Sequence, residues 1–218
     1  MFSDTNPVYE FAGPFGVPVQ IGSSIIMLPL IFVSFSGSPI ELYYDLIFLS
    51  LLVGSIFLHE VGHAWGSLVQ GVPVRRIMLH GGGGFCERSR SATRREDELI
   101  VAMGPIVNLT IWAVASLIVP VLPHGDLSWA IETLAYINLF LALFNLIPVM
   151  PLDGGKLFQL ALMRLMPSGT ATRVSGGVGL LFALLWIPMM VLSYFVLGLV
   201  LFFIPPIALH WQMLRRRV

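Results

Sequence analysis

Charge is what this chain has least of. Only 11% of its 218 residues are Asp, Glu, Lys or Arg, where a soluble domain carries about 25%. Twelve basic and twelve acidic residues cancel, which removes the basic surface that a nucleic-acid partner needs. A single cysteine, Cys86, excludes a disulfide within the chain. In its Gly-rich surroundings it reads as incidental. The opening stretch, MFSDTNPVYE, has neither Lys, Arg nor an apolar run, so no cleavable signal peptide is expected there. There is no long repeat and no low-complexity tail.

What fills the space is apolar: 56% of the residues are hydrophobic. Several windows approach or exceed the roughly 18 mostly apolar residues of a membrane helix. The expected fold class is therefore an all-α integral membrane protein with about six transmembrane helices. They are placed near 22–36, 44–70, 98–121, 127–147, 171–191 and 192–213. The first is short for a span of about 20 residues. The length suits one membrane-embedded domain, 1–218, with no room for a sizeable soluble module. Turns are expected at SGSP (36–39), GVPV (71–74), PHGD (123–126) and PSG (167–169), and a very tight one near Leu192–Tyr194. A small sheet or hairpin is expected from a strand at Val17–Ile21 and another at 73–80. HGGGG (80–84) follows as a turn or irregular edge, and CERSRSATRRED (86–97) as a solvated connection. Pro148 and Pro151 interrupt PVMPLDGG (148–155). A short amphipathic helix is expected over Lys156–Met166.

With six spans, all twelve Lys and Arg fall on one side: Arg75, Arg76, Arg88, Arg90, Arg94 and Arg95, then Lys156, Arg164 and Arg173, then Arg215, Arg216 and Arg217. Only Glu41, Asp45, Asp126 and Glu132 lie near the other side. The positive-inside rule makes the basic side cytoplasmic, with both termini and the small sheet on it. Each Arg cluster reads as a solvated anchor for a helix end.

One polar island interrupts the apolar runs. HEVGH (59–63) follows LIFLSLLVGSIFL (46–58) at the cytoplasmic end of the second span. Residues four apart share a helix face, so His59 and His63 can hold one zinc ion while Glu60 serves as a base. Burying two His and a Glu in apolar surroundings is costly unless they are paired or ligated. A catalytic zinc takes three protein ligands. Asp153, in the proline-interrupted segment before Gly154 and Gly155, is the strongest candidate for the third; the alternative is that it caps the helix starting near Lys156. His80 is a weaker candidate, and His124 and His210 lie on the wrong side and at the far terminus. Ser55, Gly62 and Gly66 share the histidine face and suit close helix approach. Asn108 and Asn145 are amides near cytoplasmic helix ends. Each is a candidate oxyanion donor or an interhelical hydrogen-bonding group.

HEVGH (59–63), MGPIVN (103–108) and NLIPVMPLDGG (145–155) together resemble the site-2 protease family of intramembrane zinc metalloproteases, which carries HExxH, GPxxN and NxxPxxPxDG segments in this order. GVPVQIGSS (16–24) resembles that family's N-terminal strand, although Gln20 and Gly22 depart from the commoner basic and His-like pattern. HGGGGF (80–85) resembles its Gly-containing strand or loop. The resemblance implies one Zn2+ per chain held by His59, His63 and Asp153, with Glu60 as general base and Asn145 and Asn108 assisting. It implies membrane-anchored protein substrates, cut in or near a transmembrane segment from within the lipid bilayer. The substrate would pair with the sheet edge around Gly82, Gly83 and Gly84. Neither the PDZ-like insertion nor the nucleotide-sensing repeats of some members are expected. The implied location is a prokaryotic cell membrane, with the site reached through a polar cavity from the cytoplasm.

Three other classes compete. A zinc transporter would want ionisable residues at midplane along several spans, and this chain has none. A catalytically silent relative that binds membrane proteins would not need Glu60 and Asp153. A prenyl-protein processing peptidase draws its metal ligands from other motifs than NLIPVMPLDGG.

Overall fold

The computed structural model describes residues 7–35, 37–197 and 203–216. Ser36 of the expected first turn, 198–202 of the expected sixth span, Arg217 and residues 1–6 lie outside the described residues. The chain divides into two compact units, Met1–Ala142 and Leu143–Val218.

In the first unit, strand β1 (Pro7–Ala12) and strand β2 (Pro18–Gly22) form an antiparallel hairpin. A turn of 3-10 helix at Ser23–Ile26 leads into the short helix α1 (Met27–Phe32). This stretch, Ser23–Phe32, is apolar but much shorter than the other membrane helices. Helix α2 (Pro39–Leu68) follows. Ser38 accepts from the Glu41 amide while the Glu41 carboxylate accepts from the Ser38 amide, and Pro39 sits at the first helical position, so the start is doubly specified. The helix ends before GVPV, where Gly71 turns the chain at φ +67°.

Strand β3 (Val74–His80) pairs parallel with β2 and antiparallel with strand β4 (Gly83–Arg88). The sheet order is β1-β2-β3-β4, so β4 is an edge. The expectation of a solvated connection from Cys86 is corrected here, because Cys86, Glu87 and Arg88 continue β4. Their partners on β3 are what carries the strand past the glycines: Cys86 opposes Ile77, Glu87 opposes Arg76 and Arg88 opposes Val74. Val17, Val19, Ile77 and Leu79 pack with Ala64 of α2 in a buried cluster, which fixes the sheet against the last third of α2. Arg76 and Arg75 pair with Glu87, and Arg88 with Asp97. The Arg76 guanidinium beside Glu87 holds that carboxyl below the usual carboxylate range. Arg75, Arg76 and Arg88 therefore stand on strands and pair with carboxylates, where the sequence suggested anchors for a helix end.

Helix α3 (Arg94–Ile118) starts on a second reciprocal cap, Thr93 with Glu96. Helix α4 (Asp126–Asn145) follows PHGD. The packing of α2 on α3 needs glycine. A Cβ on Gly62 would sit 2.7 Å from the Met103 carbonyl oxygen and one on Gly66 2.9 Å from Met103 Cγ. Gly62→Val is therefore expected to lower the melting temperature and cost about 1–3 kcal/mol, the range for overpacking a tight contact. Thermal unfolding of the metal-free protein in detergent checks this. A melting temperature equal to wild type would show that the two helices do not meet there.

In the second unit, helix α5 (Asp153–Leu165) begins at Asp153 itself. Helix α6 (Ser168–Leu197) runs through the expected turn at Leu192–Tyr194. LSYFVL (192–197) offers no glycine or proline to stop a helix. Residues 203–206, which include Pro205 and Pro206, are not helical and lead into helix α7 (Ile207–Arg215). Nine residues reach about 14 Å at 1.5 Å per residue, well short of a membrane. Among the described residues, four helices are long and apolar enough to cross one: Pro39–Leu68, Arg94–Val121, Asp126–Asn145 and Ser168–Ser193.

Candidate metal centre

His59, Glu60 and His63 lie buried in the last third of α2. The two rings are set at nearly a right angle, with His59 Nε2 and His63 Nε2 3.1 Å apart. Two nitrogens sharing one tetrahedral zinc at about 2.0–2.1 Å lie about 3.3 Å from each other, so the observed pair has the separation of two ligands on one ion.

The far nitrogen of each ring is held by α3. His63 Nδ1 donates to the Ile100 carbonyl at 2.8 Å, and His59 Nδ1 meets Asn108 Oδ1 at 2.5 Å. A carbonyl only accepts, so His63 carries its proton on Nδ1 and presents the Nε2 lone pair, the form a metal ligand needs. The space in front of both Nε2 atoms is kept by Gly104. A Cβ there would fall 2.5 Å from one and 2.6 Å from the other. This cradle accounts for the glycine of MGPIVN.

The amide suggested as an oxyanion donor has another use. Asn108 is fully buried, and its side chain joins His59 to Asn138, to which Asn108 Nδ2 donates at 2.7 Å. Asn138 in turn donates to Ser55 Oγ and to the Leu134 carbonyl, both at 2.9 Å. The interhelical alternative is the one observed for Asn108. Asn138 was missed in the sequence. Its signal was there: an amide one heptad before Asn145 in an apolar span, costly unless bonded.

Glu60 faces the sheet. A Cβ on Gly84 would lie 2.7 Å from Glu60 Cγ, so β4 passes directly beside the carboxylate. Burial first, and the Glu60 charge second, push the Cys86 thiol up to about 12. It stays protonated, in keeping with an incidental cysteine. Gly83 opens β4 at φ +124°, and Gly82 sits in the preceding turn, where its amide donates to His80 Nδ1. His80 thereby serves the turn.

Asp153 is the first helical residue of α5, and the capping position belongs to Leu152. The capping alternative for Asp153 is set aside by this geometry. Gly154 and Gly155 let the first turn of α5 lie against the backbone of Leu146 to Met150, where a Cβ on either would collide. His210 of α7 is bonded to the Met150 carbonyl at 3.3 Å. Asn145 closes α4. His59, His63 and Asp153 are positioned to bind one metal ion, with one ligand atom from each within 4.8 Å of the others. The donor set, two imidazoles and a carboxylate, is one that zinc accepts.

The chain is similar to known proteins. A family model described as peptidase family M50 matches residues 47–126 and 121–186. A zinc metalloprotease of Methanocaldococcus jannaschii is 27% identical over 171 residues, which cover 78% of this chain and 50% of the relative. Stage IV sporulation protein FB of Bacillus subtilis is 28% identical over 132 residues, 60% of this chain and 45% of the relative. The chain thus spans about half the length of these curated relatives. Among solved structures, a site-2 protease from Methanocaldococcus jannaschii aligns with a TM-score of 0.66 at 22% identity, covering 95% of this chain and 92% of that one. That likeness concerns the fold.

Proposed function

Because the chain belongs to peptidase family M50, the site-2 proteases, we propose that it is a multi-pass membrane zinc metalloprotease that hydrolyses peptide bonds in or near the transmembrane segments of membrane-anchored proteins. The observation that carries this is the pair of buried imidazoles whose Nε2 atoms face one another at the end of an apolar helix. A soluble peptidase has no reason to place its ligands there.

In this reading His59, His63 and Asp153 hold the zinc ion. Zinc supplies Lewis acidity, polarising a carbonyl and acidifying water. Glu60 removes the proton from the attacking water and returns it to the leaving amine. Asn145 donates to the developing oxyanion, and Asn108 assists by holding His59. An unwound substrate segment adds to the edge of β4, where backbone hydrogen bonds supply affinity and Gly82, Gly83 and Gly84 leave room beside Glu60. The chain acts as one membrane-embedded domain in a prokaryotic cell membrane. Its basic loops, sheet and site face the cytoplasm, from which water reaches the site.

The test is metal removal. The purified chain in lipid vesicles is given a single-span reporter protein. Cleavage is expected within or next to the span, to stop on stripping with a strong chelator, and to return with one equivalent of zinc. Cleavage that survives stripping, or that occurs only in soluble segments far from the span, would refute the proposal.

A further inference from the structure

The tautomer of His59 is set at a distance. Ser55 Oγ donates its only proton to the Leu51 carbonyl at 2.7 Å, which leaves its lone pairs for Asn138. Both hydrogens of the Asn138 amide nitrogen are then committed, one to Ser55 Oγ and one to the Leu134 carbonyl. Turning that amide over would place its oxygen against a carbonyl oxygen. The Asn138 oxygen must therefore face Asn108 Nδ2, and the Asn108 oxygen must face His59. An oxygen accepts only, so His59 carries its proton on Nδ1 and leaves Nε2 bare toward His63 Nε2. Ser55, Asn108 and Asn138 are all buried, with no bulk water to substitute for a missing partner.

We propose that Ser55, Asn138 and Asn108 form a one-way hydrogen-bond relay, anchored on the Leu51 and Leu134 carbonyls, that fixes His59 as a metal ligand. This rests on the reading of His59 and His63 as zinc ligands. His63 needs no relay, because the Ile100 carbonyl sets it directly. Asn138 is then a positioning residue: its bonds run to Asn108, Ser55 and the Leu134 carbonyl, and it acts on His59 through Asn108, deciding which nitrogen of that ring carries the proton. Break the relay at Asn138 and Asn108 is free to turn its amino group to His59, forcing the proton onto Nε2, where zinc cannot bind.

The relay makes a prediction that packing does not. A carboxylate at position 108 accepts from His59 whichever way it is turned. Asn138→Leu is expected to weaken zinc binding about tenfold or more, the scale for losing an outer partner of a ligating histidine. In an Asn108→Asp background the same Asn138→Leu change is expected to cost nothing, because the side chain at position 108 no longer has a direction to lose. Zinc affinity is read by chelator competition on the four purified full-length proteins in detergent, beside the melting temperature of each without metal. Asn138→Ala replaces Asn138→Leu in both backgrounds if the leucine variant fails to fold. A loss that vanishes in the Asn108→Asp background supports the relay. Equal losses in both backgrounds, with wild type binding one zinc, overturn it and leave Asn138 as packing. If wild type takes up no zinc, the metal-centre reading falls and the relay with it.

Discussion

Glu60→Gln is expected to abolish cleavage while leaving one zinc per chain. The two side chains have the same shape, so the packing of Glu60 beside β4, where Gly84 leaves it just enough room, survives the change. Glu60 is not in the group of atoms placed to hold the metal, which consists of His59, His63 and Asp153. What is lost is the ability to accept a proton. A positioned general base contributes about 10²- to 10⁴-fold, and turnover of a membrane reporter is expected to fall by that factor at least. Single-turnover cleavage in vesicles, with zinc measured on the same sample, separates the alternatives. Wild-type turnover removes Glu60 from the chemistry, and loss of zinc makes it a ligand. In cells, membrane-anchored fragments that accumulate only with the Gln variant identify the substrates.

How far the sequence could be read depended on how local the cause was. The glycine turn at GVPV and the HEVGH face are set by neighbours within four residues, and each is where the pattern puts it. The caps on α2 and α3 are just as local, yet they start those helices at Pro39 and Arg94, ahead of the starts expected at 44 and 98. The turn expected at Leu192–Tyr194 came from fitting two spans into 44 residues, a demand of length with no breaker behind it. The chain continues as helix to Leu197. The strand at Cys86 to Arg88 is set by β3, a partner found only after folding. Among the site residues, His59 and His63 were legible from spacing alone. Asp153 was legible from its glycines and prolines as a candidate, though its place at the start of α5 was not. The role of Asn108 depends on Asn138, thirty positions away on another helix, and periodicity within one helix carries no such information.

Gly104→Ala is expected to cost the chain its zinc although it alters no ligand. The added methyl would stand 2.5 Å from His63 Nε2 and 2.6 Å from His59 Nε2, well inside the contact distance of carbon and nitrogen. Relief could come in two ways. The rings could swing away, but His59 is tied to Asn108 and His63 to the Ile100 carbonyl, so each swing breaks a buried hydrogen bond. Or α3 could back off, but it carries Asn108 and Ile100 with it and so drags both rings out of register. Either route spoils two ligands at once, where losing one outer partner already costs about 10- to 100-fold in metal affinity. A fall of at least about 100-fold is expected in chelator competition. Gly54→Ala, on α2, the helix that carries both histidines, but with nothing within 4 Å of the new methyl, is expected to bind zinc as wild type does. The metal-free Gly104→Ala protein should still fold, since a single methyl in a tight contact costs about 1–3 kcal/mol. Unchanged zinc affinity in that variant would mean that the two imidazoles do not share the space in front of Gly104, and the metal centre would have to be placed elsewhere.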